Sequence, residues 1–392
     1  MKEIYFDHGA TTRPLEKVVE KMMAVMLEDY GNPSSYHKMG MKAESHIKKA
    51  SDYFANVFQC SSDEIIYTSG GTESNNMAII GTALAYQRIG KRVITTRIEH
   101  PSVKEPFRYL ETQGFEVIYL PVDHEGYINI DQLTDAINNE TTLVSIMHVN
   151  NETGTIQDIE KIGARIKQKN PNTHFHTDAI QSFGKVPIYR KRSFIDLLSV
   201  SSHKIYGPKG VGLLYKNKNV RMHPQILGGG QQKGYRSGTQ DVPGIVGMHV
   251  AAEDVITHLE QYGAHVKSIK EKLTNMITDN IEDVYVSGPD IACGAPHIVN
   301  IGFKDIRSEI LLHALEAENI YVSSGSACSS NKKQGTSSTL EAIGKNEAER
   351  DGAIRFSFGI HNTPEQVEET VLVLQKTIPV LRKVLRLGGN KR

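Results

Sequence analysis

Lys204 lies in "SVSSHKIYGPKGVG" (199–212), between an apolar β-type run and a Gly-Pro turn. A lysine so placed is either a surface residue or an amine able to bond a carbonyl carbon, its pKa lowered by burial and positive neighbours. Asp178, in "HTDAIQSFGKV" (176–186), follows another apolar run, at the sheet edge where α/β proteins bind ligands. A carboxylate there can keep a ring nitrogen protonated, and Gln181 can donate to an oxygen nearby. His176 and Asp178 could instead hold a metal, but no third ligand stands at helical or turn spacing. In "EIIYTSGGTESNN" (64–76) a strand ends at Gly70-Gly71, and Thr72-Glu73-Ser74 opens a helix. Glycines admit a close backbone approach, and a helix start offers free N–H groups to a phosphate. The pattern is neither G-x-x-x-x-G-K-[ST] nor G-x-G-x-x-G, so neither a P-loop nor a dinucleotide fingerprint is supported.

Further candidates follow other strands. Ser201 and His203 flank Lys204 and suit a phosphate. His100 ends "RIEH", Asn151 lies in "HVNNETG", Arg236 and Thr239 sit in the Gly-rich "GGGQQKGYRSGTQDV", and Arg355 is in "AIRFSFG". Each alone also fits an ordinary turn, cap or surface residue. Together they are the parts a pyridoxal phosphate (PLP) enzyme requires: a lysine, an acid for the ring nitrogen, a phosphate cup, a flat ring to stack and an arginine for a carboxylate. Cys328 is different. It sits in "SSGSACSS" (323–330), followed by "NKKQGTSS", whereas a packing cysteine has apolar neighbours.

These residues need a frame. The chain has 392 residues, enough for two packed units. Hydrophobic residues are 39% and charged residues 23%, as in an ordinary soluble globular protein. Lys plus Arg equals Asp plus Glu at 45 each, so no net charge draws it to nucleic acid or an acidic membrane. No apolar run approaches the ~18 residues that span a bilayer. Three scattered cysteines (60, 293, 328) give neither a disulfide framework nor a C-x-x-C pair, which fits a reducing cytoplasm. Cys60 and Cys293 read as structural.

From 64 to 215, seven short runs ("EIIYT", "RVITT", "EVIYL", "TLVSIMHV", "HFHTD", "LLSVSS", "GVGLLY") alternate with helical patterns such as 102–113, 131–139 and 158–169. Such alternation predicts an α/β domain with a mainly parallel sheet. A long helical stretch, 245–280, leads into a smaller α+β unit ending in a helix over 364–386. The expected division is 15–257 for the large domain, and 1–14 with 258–392 for the small one, which carries the cysteine loop (about 323–338).

The ordered motifs "IYFDHGATT", "YGNPSS", "YTSGGTESNN", "EHPSV", "VNNETG", "HTDAIQSFGK", "SHKIYGPKG", "GGGQQKGYRSGT", "SSGSACSS" and "IRFSFG" resemble those of cysteine desulfurases of the NifS/IscS type, over nearly the whole chain. The resemblance implies the aminotransferase-like fold of PLP enzymes (fold type I), with a seven-stranded sheet, and a homodimer. It implies that Lys204 holds the cofactor and moves protons, and that Asp178 pairs with the pyridine nitrogen and Gln181 with the ring hydroxyl. His100 would stack on the ring and shuttle the proton of the substrate thiol. Gly71, Thr72, Ser201 and His203 would bind phosphate, with Thr239 from the other subunit. Asn151 and Arg355 would orient L-cysteine, the guanidinium forking onto its carboxylate. Cys328 would take the sulfur as a persulfide, alanine would leave, and an acceptor protein would receive the sulfur. Iron–sulfur scaffolds, tRNA thiolation enzymes and thiamine sulfur carriers are candidate acceptors.

The chain departs from that family at Ser202, where glycine is common, at Gln232, Lys233 and Tyr235, where more charge is usual, and after Cys328, where a Leu-Glu-Pro-Ser run is absent. The competing readings are a selenocysteine lyase, an aminotransferase, and a non-catalytic sulfur-relay protein on the same fold.

Overall fold

The computed structural model describes residues 3–324 and 337–389, the last five by backbone alone. The seven runs form one sheet in the order Ile65–Thr68, Gly212–Lys216, Leu197–Ser201, His174–Asp178, Thr141–Ser145, Arg92–Thr96, Glu116–Leu120. The five strands from Leu197–Ser201 to Glu116–Leu120 pair parallel. Gly212–Lys216 is antiparallel to both its neighbours, so six strands point one way and one the other. The central strands are buried throughout and rich in Leu, Val and Thr, as a sheet covered on both faces requires. One face packs Phe54, Phe58, Phe175 and Phe183; the other packs Met77, Phe107, Leu110 and Leu143.

The outer strand Ile65–Thr68 has no strand beyond it among the described residues. Gln232 stands there instead. Its Oε1 accepts from the Tyr67 N–H (2.7 Å) and its Nε2 donates to the Tyr67 carbonyl (2.8 Å). One of the departures from the family pattern thus has a structural task.

A second, antiparallel sheet has the order Ser323–Ser324, Ala353–Ser357, Ile298–Phe303, Val284–Ser287. Its core joins Ile301, Phe303 and Phe356 to Leu273 and Leu374 of the helices Leu259–Asn280 and Pro364–Gly389. Ile4 and Phe6 belong to this core, and Ile4–Tyr5 pairs parallel with Ile320–Tyr321. Among the described residues no helix is long and apolar enough to cross a membrane.

The stretch 245–280 differs from its reading as one helix. It forms two, Val242–Thr257 and Leu259–Asn280, broken at His258 (φ −106°, ψ 19°). The first is buried on most of its circumference, against helices Glu16–Glu28 and Lys38–Phe58. The second turns one apolar stripe, Val266, Ile269, Leu273 and Ile277, to the other core. A straight rod would not serve both surfaces. Across the break, Tyr262 donates its hydroxyl to Asp254 (3.0 Å). The two helices that precede the first sheet strand were not anticipated from the sequence.

Ser202 is fully buried, and its hydroxyl has no hydrogen-bond partner. A buried, unpaired hydroxyl costs on the order of 1 kcal/mol or more. Ser202→Ala is therefore expected to raise the urea midpoint of unfolding with the slope unchanged; an unchanged or lower midpoint counts against this account.

Candidate active site

Because six strands are codirectional, their carboxyl ends lie along one edge of the large sheet, and most of the chemistry-bearing residues sit there. Asp178 and Ser201 are the last residues of their strands. His100, Asn151 and Gly71 lie just beyond Arg92–Thr96, Thr141–Ser145 and Ile65–Thr68. A pocket of about 300 Å³ opens at this edge. Lys204, Asp178, Gln181, Gly71, Thr72, Ser201, His203, His100, Asn151 and Arg355 line it. Gly9, Ala10, Ser102, Met147 and Ile180 complete the wall.

Lys204 follows its strand in a 3-10 turn, Ser202–Lys204, and its Nζ donates to the carbonyls of Gly9 and Ala10, each at 2.6 Å. The N-terminal segment is thereby part of the site. Thr12 ties the same segment down, its N–H and hydroxyl both donating to the His203 carbonyl (2.9 Å each). Gln181 donates from Nε2 to the Gly9 carbonyl (2.9 Å), and its Oε1 faces Lys185 Nζ at 3.4 Å. Burial, then the charges of Lys204 and Arg355, push the Lys185 amine down to about 7.

Asp178 accepts from the Ile180 N–H (2.9 Å) and from Asn75 Nδ2 (2.8 Å). Burial raises its pKa above the usual carboxylate range, while those donors and Lys204 pull the other way. His176 is not a ligand. It is fully buried, with Nδ1 against the Ser145 hydroxyl (2.8 Å) and Nε2 against that of Ser199 (3.0 Å).

His100 caps the helix Pro101–Thr112: its Nδ1 accepts from the Ser102 N–H at 3.1 Å, with proline in the first turn. Burial, then Lys204, Lys104 and Arg355, lower its pKa to about 4, so the ring is neutral near pH 7. His203 is lowered to about 4 by burial and nearby lysines, and its Nδ1 meets Thr11 Oγ1 at 3.1 Å.

The helix after Gly70 starts at Gly71, widens to a π turn over Met77–Gly81 and continues to Tyr86. Gly70 has φ +151°, a glycine conformation, and a Cβ at Gly71 would lie 2.1 Å from Ile180 Cδ1. A side chain at Gly71 would therefore displace Ile180. Arg236 ties the Gly-rich segment to it, with Nε 3.0 Å from Glu73 Oε1.

Arg355 is buried. Its Nη2 pairs with Asp7 Oδ1 and its Nη1 donates to the Asn151 carbonyl, both at 2.8 Å, while Nε has no hydrogen-bond partner. The "VNNETG" turn is held by Asn150, whose Oδ1 accepts from the N–H groups of Glu152 and Thr153 (2.9 Å each). Sequence reasoning chose Asn151 and passed over Asn150; an Asn two residues ahead of Glu152 in a turn, the Asx-turn spacing, was the available signal.

Thr239 is exposed and does not line the pocket. Cys328 lies outside the described residues. The flanking residues are placed: Ser323 pairs with Arg355, and on the other side Ser337 donates to Glu152 while Lys104 donates to Ser338 Oγ (2.9 Å). Cys60 is half-buried, and burial pushes its thiol up to about 12; Cys293 is exposed.

A sheet edge carrying a lysine, a buried acid and a neutral histidine around one small pocket defines a class of α/β enzymes that handle amino acids through a bound cofactor. The comparisons narrow that class. The aminotransferase class-V model matches residues 4–370, and the chain belongs to that family. It is 41% identical over 383 residues to a cysteine desulfurase IscS of Dictyoglomus turgidum, covering 98% of this chain and 96% of that one. Among solved structures, a NifS-like protein superposes with a TM-score of 0.91 at 37% identity, covering 97% of this chain and all of the other. A structure described as SspA in complex with cysteine matches with a TM-score of 0.80 at 36% identity, over 92% of this chain and all of that one.

Glu99, beside His100, was also missed. It is buried, accepts from the Met147 N–H (3.0 Å) and the Thr96 hydroxyl (2.8 Å), and leaves Oε2 unpaired. Burial raises its pKa from 4.5 to about 8. The folded chain therefore keeps a proton that the unfolded chain has released. The stability this group contributes is full below 4.5 and is lost as pH rises through about 8. Glu99→Gln, which cannot ionise, is expected to match the parent in urea unfolding near pH 4.5 and to exceed it above pH 8 by an amount on the order of a few kcal/mol. Equal stability at both pH values counts against a protonated Glu99.

Proposed function

We propose that the pocket binds pyridoxal 5′-phosphate and that the chain is a cysteine desulfurase. It takes sulfur from L-cysteine, releases L-alanine and carries the sulfur as a persulfide on Cys328 to an acceptor protein. The observation that carries this reading is the convergence of Lys204, Asp178, His100 and Arg355 on one pocket, in a chain 41% identical to a cysteine desulfurase over nearly its full length.

The residues fit the cofactor. Each oxygen of Asp178 takes a single donor, Ile180 N–H or Asn75 Nδ2, which leaves lone pairs for a protonated ring nitrogen. The Gly71 helix start, the hydroxyls of Thr72 and Ser201, and His203 form a donor set for phosphate. Thr239, exposed here, is offered to the other subunit of a homodimer. Gln181 Nε2 is in place to donate to a ring hydroxyl.

When bound, the cofactor supplies an electron sink for the pair left when the substrate's Cα proton departs. Lys204 would hold the cofactor at Nζ and, once the substrate amine had taken its place there, would hold and return that proton at Nζ. Asp178 keeps the ring nitrogen charged. Asn151 and Arg355 orient the substrate carboxylate. The overall change balances: L-cysteine and the Cys328 thiol give L-alanine and the Cys328 persulfide.

Intact and peptide mass spectrometry after addition of L-cysteine without reductant tests this. One added sulfur on the Cys328 peptide, with alanine released, is expected. Cys328→Ala is expected to keep the visible absorbance of bound PLP and lose transfer. A Cys328→Ala protein that releases sulfide at the parental rate overturns the assignment, and bound PLP with neither alanine nor modified Cys328 moves an aminotransferase or silent relay ahead.

Arg355→Lys keeps the charge but loses the planar fork. It is expected to raise KM for L-cysteine about tenfold, the size of one charge-assisted hydrogen bond. Steady-state kinetics with an unmoved KM would remove Arg355 from the carboxylate site.

A further inference from the structure

Asn75 is fully buried in the first turns of the helix that starts at Gly71. Its Nδ2 lies 2.8 Å from Asp178 Oδ2 and 2.9 Å from Ser102 Oγ. Ser102 Oγ in turn lies 2.8 Å from His100 Nδ1. The acid of the pocket and the histidine at its wall are thus joined through two intermediate side chains.

The direction of this chain can be worked out from a single fixed donor. The Ser102 N–H can only donate, and it points at His100 Nδ1 (3.1 Å). Nδ1 therefore carries no hydrogen, and the neutral ring carries its hydrogen on Nε2. With Nδ1 an acceptor, the Ser102 hydroxyl must donate to it and spends its one hydrogen there. Its oxygen must then accept from Asn75, which only the amide nitrogen can supply. The second hydrogen of that nitrogen goes to Asp178 Oδ2, which must accept. Asn75 Oδ1 is buried with no hydrogen-bond partner, so the residue is held in place for its nitrogen.

We propose that Asn75 is a positioning residue: with Ser102 it carries the hydrogen-bond direction set at the start of helix Pro101–Thr112 to Asp178, holding that acid as an ionised acceptor and His100 as an Nε2–H donor. The inference rests on the reading of the pocket as a PLP site. The groups that also face Asp178 are the Ile180 N–H, Lys204 and Glu99; those that face His100 are Lys204, Lys104 and Arg355. Burial opposes a charge on Asp178, and the Asn75 donor offsets it. A histidine whose Nδ1 is doubly engaged has no free lone pair. It steadies a negative substrate sulfur by donation rather than stripping the thiol of its proton.

Two measurements on the cofactor-loaded protein decide this. In ¹⁵N-histidine-labelled protein, the His100 signal, identified by its loss in His100→Gln, is expected to show hydrogen on Nε2 alone; hydrogen on Nδ1, or a mixture of the two forms, overturns the proposal. Asn75→Ala is expected to keep the cofactor and to lower kcat about tenfold or more, with KM for L-cysteine within about twofold. The pH midpoint of its visible band is expected to rise by about half a unit or more, because a less protonated ring no longer disfavours the neighbouring cation. Unchanged kcat and midpoint overturn the proposal. Should Asn75→Ala fail to fold, Ser102→Ala cuts the same link while keeping the backbone cap, and the same upward shift is expected; an unmoved midpoint overturns the proposal. A parental protein with no visible band defeats the cofactor reading itself, and the histidine measurement still decides the direction of the network.

Discussion

Six strands that run in one direction leave their carboxyl ends on a single edge, and the site depends on that shared polarity. Asp178, Ser201, His100, Asn151 and Gly71 come from five places in the chain, yet each ends or follows a strand of the same sense. The only antiparallel member, Gly212–Lys216, joins the outer strand Ile65–Thr68 to the rest without reversing it. Had that outer strand run the other way, Gly71 and its helix start would lie at the opposite edge, away from the acid and the lysine.

The second constraint is closure by the four-stranded sheet. Arg355 comes from its central strand, Ala353–Ser357, and is locked by Asp7 from the N-terminus and by the Asn151 carbonyl of the large unit. Lys204 is held by Gly9 and Ala10. The first dozen residues thus fasten Lys204 and Arg355 together, and their pairing with Ile320–Tyr321 ties them to the core of the four-stranded sheet.

Much of this was legible in the sequence. The seven strands stood out because short β-branched runs alternated with amphipathic segments, and the site residues because each followed such a run. The motifs supplied roles that residue type alone left open: Asp178 read as an acid for a ring nitrogen, with a metal disfavoured for want of a third ligand, and its place in an ordered set of ten motifs gave it that role. What stayed hidden was the layer behind the pocket. Asn75, Ser102, Glu99 and Asn150 lie inside the quoted motifs, but each acts through a hydrogen bond to a residue distant in the chain, which motif and spacing do not display. The break at His258 was hidden for a similar reason. The apolar pattern is nearly continuous through it, and only the existence of two cores, on different sides, makes a bend necessary.

Gln232 has a wider bearing than its two bonds to Tyr67 suggest. An unpaired strand edge is an open template on which another chain can lay a strand of its own. At the outer strand the template is already read by a side chain, one amide matching both the N–H and the carbonyl of a residue. A carboxylate at this position could receive the N–H but would leave the carbonyl bare. This sheet edge carries a glutamine amide at Tyr67 in place of an eighth strand's backbone.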